Sequence, residues 1–566
     1  MRKATFLLAY SIDVKQIVVT FIRYSCVMSA VIQEPCSKAS VLSGPPSKGC
    51  DASVGRWVLA ATILASSMAF IDGTVVNVAL PFLQKELNAT AIGVQWVVES
   101  YALLLSALLL VGGSLGDRYG RRRVFIVGTV IFAVASIACG VSVNISQLIV
   151  ARAVQGVGAA LLIPGSLAII SASFKEDERG RAIGTWSGFS AITTAIGPVL
   201  GGWLVEHLTW RAAFFLNLPM AIAVIVISLW RVPESHEQDQ HGALDWIGAT
   251  LATLGLGGLV YALIESSRVG FTNPVVIVSL IAGVVMLASF AFNEARAANP
   301  MMPLKLFRSR NFAGANLLTL FLYAALGGTF FFFALDLIQV QNYSATAAGA
   351  ALLPFVILMF ALSPWSGGLI ERFGPRLPLS VGPLIAAIGF ALFARPWINA
   401  NYWTGFFPAT LILGLGMAIS VAPLTTTVMA SVSSEQAGVA SGINNAVSRT
   451  AGLIAIAVFG VVMQQMFATQ LAEKLSHLSV PDEVRRLVYE QRVKLAGIEV
   501  PNTADEQTQA LLKQLIKESF HSGFRILMFM SALMAVGSSV MAGSMIRRST
   551  KTLRAQPGQG ANDPDK

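Results

Sequence analysis

Fourteen long apolar runs are the feature that most limits how this chain can fold. Each run carries almost no ionisable side chain and is bounded by charged, proline or asparagine residues. A helix of roughly 20 apolar residues crosses the hydrocarbon core of a bilayer once. The runs lie near 57–81, 94–114, 124–143, 147–172, 182–204, 212–231, 246–265, 274–292, 312–337, 347–369, 377–395, 403–425, 438–466 and 523–546. The sequence therefore predicts fourteen membrane spans, numbered 1 to 14 along the chain.

The runs predict helices rather than strands. They are too long for core strands of a soluble protein, and they lack the strict alternation of a transmembrane barrel. Hydrophobic residues make up 55% of the chain and the mean hydropathy is +0.67, far above a soluble average. The predicted fold class is an all-α polytopic membrane protein.

Basic residues in the short loops predict the orientation. The loops that follow even-numbered spans are rich in Arg and Lys, as in GGSLGDRYGRRR (112–123), whereas those after odd-numbered spans carry few. Because basic loops stay in the cytoplasm, both termini are expected there. The net charge of +10 is thus interpreted as a topology signal, and no nucleic-acid partner is expected.

A sequence repeat predicts two related halves. GGLIERFGPR (367–376) repeats the pattern G-x-x-x-[DE]-R-[FY]-G-x-R of the loop at 113–122, and Glu371 stands 254 residues after Asp117. GVGAALLIP (156–164) is echoed by GLGMAISVAP (414–423) at a similar distance. The repeat distance covers eight spans. We therefore expect two six-helix bundles, with spans 7 and 8 inserted between them.

The expected domains follow from this repeat. They are an extension at 1–54, a first bundle at 55–231, a linker with spans 7 and 8 at 232–300, a second bundle at 301–546 that includes an external loop at 467–521, and a disordered cytoplasmic tail at 547–566. The extension suits neither a signal peptide nor a span, so Met28 is the preferred start. For the loop, a small helical lid and a plain connector are both open.

Four motifs carry a family resemblance. The loop between spans 2 and 3 resembles motif A of the major facilitator superfamily, and RAVQGVG (152–158) on span 4 resembles motif B. GPVLGG (197–202) on span 5 resembles motif C, which marks the exporters of that superfamily. IDGTVVNVALP (71–81) on span 1 resembles a block of the fourteen-span drug:proton antiporters. The resemblance covers residues 57 to 546 and implies a major facilitator fold that works by alternating access.

Motif A is expected to form a conformational latch between the halves. Gly113 and Gly120 allow close approach and a tight turn, and Asp117 can sit near the N-terminus of a neighbouring helix. A solvated basic turn is the alternative, which the second copy disfavours. The latch residues of the two copies are Gly113, Asp117, Arg118, Gly120, Arg121 and Arg122, then Glu371, Arg372, Gly374 and Arg376.

Two arginines fall at membrane depth, where a charge is costly and needs a partner or water. Arg152, with Gln155 and Gly156 in motif B, either pairs inside the protein or snorkels from the outer end of span 4. Arg449 lies near the middle of span 13, beyond the reach of snorkelling. In span 5 the motif C residues Gly197, Pro198, Gly201 and Gly202 favour tight packing, a sliding face, or both.

Three carboxylates are candidates for binding protons or substrate. Asp72 carries the motif resemblance, although it falls outside the helical face shared by Thr62, Ser66 and Asn77. Glu99 and Asp336 are the other two; an interfacial position near the outer end of span 2 is the alternative for Glu99, and a role without titration is the alternative for Asp336. A proton-exchange site needs a carboxyl whose pKa changes with its surroundings. The proton-coupling and substrate set is therefore Asp72, Glu99, Asp336 and Asn77.

Some chemistry is not expected. All five His lie in predicted loops or at span ends, and no Walker A sequence occurs, so we expect no catalytic residue, metal site, cofactor or ATP hydrolysis. The cysteines show no metal-ligand spacing, and no disulfide is expected. An ion gradient is the expected energy source.

The leading functional hypothesis is a proton-coupled exporter of amphipathic or cationic small molecules in a bacterial cytoplasmic (inner) membrane. One alternative is export of a physiological metabolite, lipid or peptide. A receptor or assembly protein that kept the fold without transport is another. The expected partners are substrate, protons and lipid, with a periplasmic adaptor and an outer-membrane channel as candidates, and the chain is expected to be a monomer. The aromatic residues Phe330 to Phe333 either line a cavity or face lipid.

Overall fold

The computed structural model describes residues 52–547 except 175, 236–244, 298–299, 396–397, 399, 433–435, 479 and 502–504. Within these ranges all regular secondary structure is helical, as predicted. Most of the expected N-terminal extension, including Met28, and the tail from residue 548 onward lie outside the described residues.

Fourteen helices in the described part are long and apolar enough to cross a membrane, which confirms the predicted number. Spans 1 to 7 are Ala52–Glu86, Ala91–Tyr119, Arg121–Gly140, Ile145–Ser173, Glu176–His207, Trp210–Phe215 with Asn217–Arg231, and Trp246–Val269. Spans 8 to 14 are Pro274–Arg296, Arg310–Leu335 with Asp336–Val340, Ala345–Ala350 with Leu353–Gly367, Arg376–Phe393, Tyr402–Ala430, Ala437–Ser476 and Glu506–Met545. Short helices lie at Leu304–Arg308, Leu369–Phe373, Asp482–Glu490 and Gln491–Gly497.

Small polar residues fix where many of these helices begin. The side chains of Thr90, Asn144, Ser309 and Asp505 each accept a hydrogen bond from a backbone N–H in the first turn of the helix that follows. Such caps satisfy donors that have no partner within the helix. The boundaries of the spans are therefore encoded locally, in the polar residues that separate the apolar runs.

The helices define two sides of the molecule. The motif A side is the side that carries the turn between spans 2 and 3. The loop side is the opposite one, where span 13 ends and span 14 begins. Spans 7 and 8 pack against each other, and span 7 also contacts spans 2 and 13. The inserted pair thus lies beside the place where the two bundles meet.

A dense aromatic core holds the second bundle together. Phe333 is 1% exposed and packs against Phe393, Phe406 and Phe524 from spans 11, 12 and 14. Phe331 and Phe332 are also buried. Burial excludes the lipid-facing alternative for these three residues. Phe331 and Phe332 line a small cavity with Gln95 and Gln339, as the cavity alternative expected, whereas the ring of Phe333 fills the bundle interior.

The predicted loop at 467–521 is mostly helical. Span 13 continues to Ser476 and span 14 begins at Glu506, so the connection shortens to residues 477–505. The hydropathy pattern ends earlier because these helix ends are polar. The connection itself contains Asp482–Glu490 and Gln491–Gly497, and its Val484, Val488 and Leu495 are buried against the bundles.

Candidate functional site

A buried ion pair lies at the centre of the first bundle. Arg152 Nη1 of span 4 donates to Asp72 Oδ2 of span 1 over 2.5 Å, and each side chain is 1% exposed. Span 1 stays helical through Gly73, so no helix break is needed to turn Asp72 inward. Motif B and the span 1 block therefore meet in one site.

Three neutral side chains complete the pair. Gln155 and Asn217 donate to Asp72 Oδ1 over 2.9 and 3.0 Å, and both also donate to Ser136 Oγ. Arg152 Nη1 donates a second bond to Gln155 Oε1 at 2.6 Å. Both carboxylate oxygens thus have donors, from spans 4 and 6, so the charge of Asp72 is fully solvated by protein groups.

The guanidinium of Arg152 is held on its other faces as well. Its Nε donates to the Val97 carbonyl at 3.1 Å, and it lies over the Tyr101 ring at 4.2 Å from the centroid. Gly156 allows this contact, since a Cβ there would sit 2.5 Å from the Tyr101 carbonyl oxygen. With 1% exposure, Arg152 does not snorkel.

Glu99 and Asn77 lie outside this network. Glu99 on span 2 is fully buried, and neither of its carboxyl oxygens has a hydrogen-bond partner among the described residues. Asn77 is half-buried, and its amide only reaches the Gly73 carbonyl at 3.5 Å. The structure therefore does not bring the four predicted coupling residues into one site.

Asp336 has a partner that the sequence did not indicate. His521 Nδ1 lies 3.4 Å from Asp336 Oδ1, and Gln341 Nε2 donates to Oδ2 at 3.3 Å. Both members of the Asp–His pair are buried, where a π-helical turn ends span 9. The expectation that every His lies in a loop or at a span end was wrong for His521, because span 14 begins 15 residues before it at Glu506.

Arg449 lies on span 13 of the second bundle. It is half-buried and forms neither an ion pair nor a hydrogen bond within the described ranges. The structure therefore does not join Arg449 to the Asp72–Arg152 pair.

The motif A turn binds the segment after span 6. Asp117 Oδ1 accepts from Arg121 Nε at 2.8 Å, while Glu234 accepts from the Arg122 backbone N–H at 3.0 Å. Gly120 has φ 105°, and a Cβ there would collide with the Glu234 carboxylate. These contacts of Asp117, Arg121 and Arg122 stay within the first bundle and its linker. Among the described residues, Asp117 forms no hydrogen bond or ion pair with the second half, and its latch contact stays a prediction for another conformation.

The second copy of motif A repeats the turn geometry. Gly374 has φ 70° at the position equivalent to Gly120, and each glycine ends a helix. Arg372 is exposed and Arg376 begins span 11, whereas the side chain of Glu371 lies outside the described part. Gly113 is less constrained than predicted, because a Cβ there would meet its neighbour, Pro164, only at 3.7 Å.

Motif C joins span 5 to both bundles on the loop side. A Cβ on Gly197 or Gly201 would collide with span 1, and one on Gly202 would collide with the Ala345 backbone at the start of span 10. Gly349 of span 10 lies equally close to the Pro198 carbonyl. Gly188, further along span 5 towards the motif A side, has open space around it. Span 5 is thus tightly packed at motif C and loosely packed at Gly188.

The connection at 477–505 spans both bundles on the loop side. Gln84 of span 1 donates to the Lys494 carbonyl and accepts from Gln339 of span 9, both at 2.8 Å. Gln464 of span 13 donates to the Arg492 carbonyl at 3.1 Å. The segment is therefore helical and docked on both bundles; it is called the lid below, and its role as a lid rather than a connector stays a prediction.

Several site residues were missed from the sequence. Asn217 had a usable signal, since it is a lone amide in the apolar run FFLNLPM (214–220) of span 6. Ser136 had none, because single serines are common in spans. Glu234 had only its place at the start of the linker, and its contact with motif A depends on the tertiary fold.

Comparisons with known proteins agree with this architecture. Residues 62–456 match the family model of the Major Facilitator Superfamily. A bacterial homologue of the human lysosomal transporter Spinster, in an inward-facing and unoccupied conformation, superimposes with a TM-score of 0.62 over 88% of this chain and 98% of its own, at 16% identity. The POT-family transporter PepTSo gives 0.59 over 87% and 97%, at 14% identity. These structures share the fold.

Relatives at higher identity are resistance and export proteins. "Multidrug resistance protein Stp" of Mycobacterium tuberculosis is 36% identical over 490 residues, 84% of this chain and 90% of its own length. The "Tetracenomycin C resistance and export protein" of Streptomyces glaucescens is 32% identical over 86% of this chain and 90% of its own. The chain therefore belongs to the Major Facilitator Superfamily, as a multi-pass membrane transporter rather than an enzyme.

Proposed function

We propose that this chain exports amphipathic small molecules in exchange for protons, with the Asp72–Arg152 pair as the coupling element. The relatives named for drug resistance and export support the cargo class and the direction. The basic loops support a cytoplasmic motif A side and an external loop side, in a bacterial cytoplasmic membrane.

The single observation that carries the coupling role is the full burial of the Asp72–Arg152 pair. A proton cannot reach Asp72 while it is 1% exposed and bonded to Arg152, Gln155 and Asn217. Protonation therefore requires spans 1 and 4 to separate locally. Because the charge of Asp72 holds Arg152, the two protonation states favour different arrangements of the bundle. This links proton binding to conformation.

The packing supports a conformation closed on the loop side. Gln95 of span 2 donates to the Ile456 carbonyl of span 13 at 3.0 Å, and Gly202 contacts Ala345 across the bundles. The lid at 477–505 adds bonds to both bundles there. In the proposed cycle, these contacts break and the motif A side closes, which gives Asp117 its latch contact with the second half.

Transport by purified protein in proteoliposomes, driven by an imposed pH gradient, tests the proposal. Asp72→Asn keeps the size of the side chain and removes its charge and its titration, and its amide accepts hydrogen bonds on one oxygen only. We expect wild-type protein to drive efflux of at least one dye in a panel of anionic, neutral and cationic amphipathic dyes, and Asp72→Asn to lose gradient-driven transport of that dye. Asp482→Asn, an exposed carboxylate on the lid, is the matched control and should transport normally.

Substrate-induced proton release separates coupling from folding. Release that persists in Asp72→Asn would move the proton site to Glu99 or Asp336. Transport by wild-type protein that ignores the pH gradient would exclude proton coupling altogether. The monomeric state stays a prediction, which a measurement of particle size tests. The periplasmic adaptor and the outer-membrane channel also stay predictions, which co-purification tests.

A further inference from the structure

A polar cavity in the second bundle has no role in the mechanism described so far. It measures about 110 Å³ and lies between spans 9, 12 and 13. Its polar lining consists of hydroxyl and amide groups, from Tyr323, Thr425, Ser441, Asn444, Asn445 and Ser448. The lining is uncharged. Thr425, Asn444 and Ser448 donate to protein oxygens, whereas the amide of Asn445 donates to no described residue.

Arg449 extends this polar surface with a positive charge. It follows Ser448 directly and lies one helical turn from Asn445, so it stands next to the cavity along span 13 without being one of its lining residues. It is half-buried and forms no ion pair or hydrogen bond with any described residue. An arginine at membrane depth without a protein partner is free to bind a ligand.

The carboxylates at membrane depth do not balance this charge. Asp72 is 1% exposed and bound to Arg152, Asp336 is fully buried beside His521, and Glu99 is fully buried. None of the three presents a surface to a ligand in this conformation. A cationic ligand beside Arg449 would meet a like charge, whereas carbonyl, sulfonate or carboxylate oxygens would meet its five N–H donors.

We propose that the cavity and Arg449 form a cargo-binding subsite for neutral or anionic molecules rich in oxygen acceptors, rather than for organic cations. Arg449 binds the acidic or carbonyl group, and the amide of Asn445 donates to a further oxygen. This inference rests on the proposed export function, because it names the class of cargo.

Two dyes with the same ring system and opposite charge test the subsite. Fluorescein is anionic and rhodamine 123 is cationic, and binding of each to the full chain in nanodiscs is measured by fluorescence anisotropy. Arg449→Gln should weaken fluorescein binding about tenfold and leave rhodamine binding equal or tighter. Arg449→Lys should lose less, because it keeps the charge, and Asn445→Leu should weaken fluorescein binding by about threefold or more.

Arg525→Gln is the matched control, since Arg525 is exposed on span 14 of the same bundle. It should bind fluorescein as the wild type does. Wild-type protein that binds no fluorescein overturns the subsite, as does Arg449→Gln with the affinity of the Arg525 control. Gradient-driven rhodamine export without fluorescein binding overturns the subsite and leaves the exporter intact. Fluorescein binding that depends on Arg449, in a protein that shows no gradient-driven transport, supports the subsite and contradicts the proposed export function.

Discussion

Asp72 and Arg152, 80 residues apart in the chain, form a 2.5 Å ion pair with 1% exposure on each side. Desolvation makes such a pair costly to assemble, and removing one partner leaves a buried charge without compensation. The surrounding Gln155 and Asn217 reduce that cost only while Asp72 accepts their bonds. The pair therefore acts as a unit, which a double-mutant cycle can measure.

Asp72→Asn and Arg152→Gln should each destabilise the purified protein by about 3 kcal/mol, because each leaves one buried partner unpaired. The double variant should lose less than the sum, by about 1 kcal/mol or more, since neither charge remains. Thermal unfolding followed by tryptophan fluorescence measures all three variants. Strictly additive losses would mean that the two side chains do not interact in the folded protein.

Much of the fold could be predicted because the bilayer imposes a length on every span. The fourteen helices follow from apolar runs alone, and the duplication follows from the repeated motif A. The polar ends of spans 13 and 14 were not predicted as helix, because the hydropathy signal stops at the membrane surface. His521 was misplaced for that reason.

The site was predicted residue by residue but not as an assembly. Asp72, Arg152 and Gln155 each have a signal in the sequence, because polar groups at membrane depth are rare. Their pairing depends on how spans 1 and 4 rotate about their axes, which hydropathy does not encode. Asn217 and Ser136 arrive from two further spans, and only the fold brings them to Asp72.

Asp117→Asn should slow transport several-fold while leaving substrate affinity and thermal stability close to wild type. Asp117 is partly exposed and bonded to Arg121, so the loss of the pair costs under about 1 kcal/mol. Its larger effect is expected in the conformation where the motif A side closes. Efflux rate, dye affinity and unfolding temperature are measured on the same preparation. An unchanged efflux rate would contradict the latch hypothesis.

Gly202→Val should hold the loop side open. A side chain at this position would displace the Ala345 backbone of span 10. Gly188→Val is the matched control on span 5, because nothing lies within 4 Å of a Cβ there. A cysteine introduced at Ser267, in the small cavity beneath the lid, reports on opening through its rate of maleimide labelling. We expect faster labelling and slower transport for the Gly202 variant alone. Equal labelling of both variants would show that motif C does not control closure of the loop side.

Gln84→Leu should loosen the lid without emptying the space that Gln84 fills. The glutamine is 6% exposed and bridges the Lys494 carbonyl to Gln339, so its replacement leaves buried polar groups unpaired at a cost of about 1–3 kcal/mol. Because Arg485, Arg486, Arg492 and Lys494 lie on the lid, trypsin can report its undocking.

Purified Gln84→Leu should be cut in the lid several-fold faster than wild type, and it should spend less time closed on the loop side. Gln514→Leu serves as control, because Gln514 is exposed on span 14 and, among the described residues, bonds its helical neighbour Glu518 alone. If both variants are cut at the wild-type rate, Gln84 does not hold the lid. If Gln84→Leu is cut faster but transports normally, the lid docks on the bundles without controlling their motion.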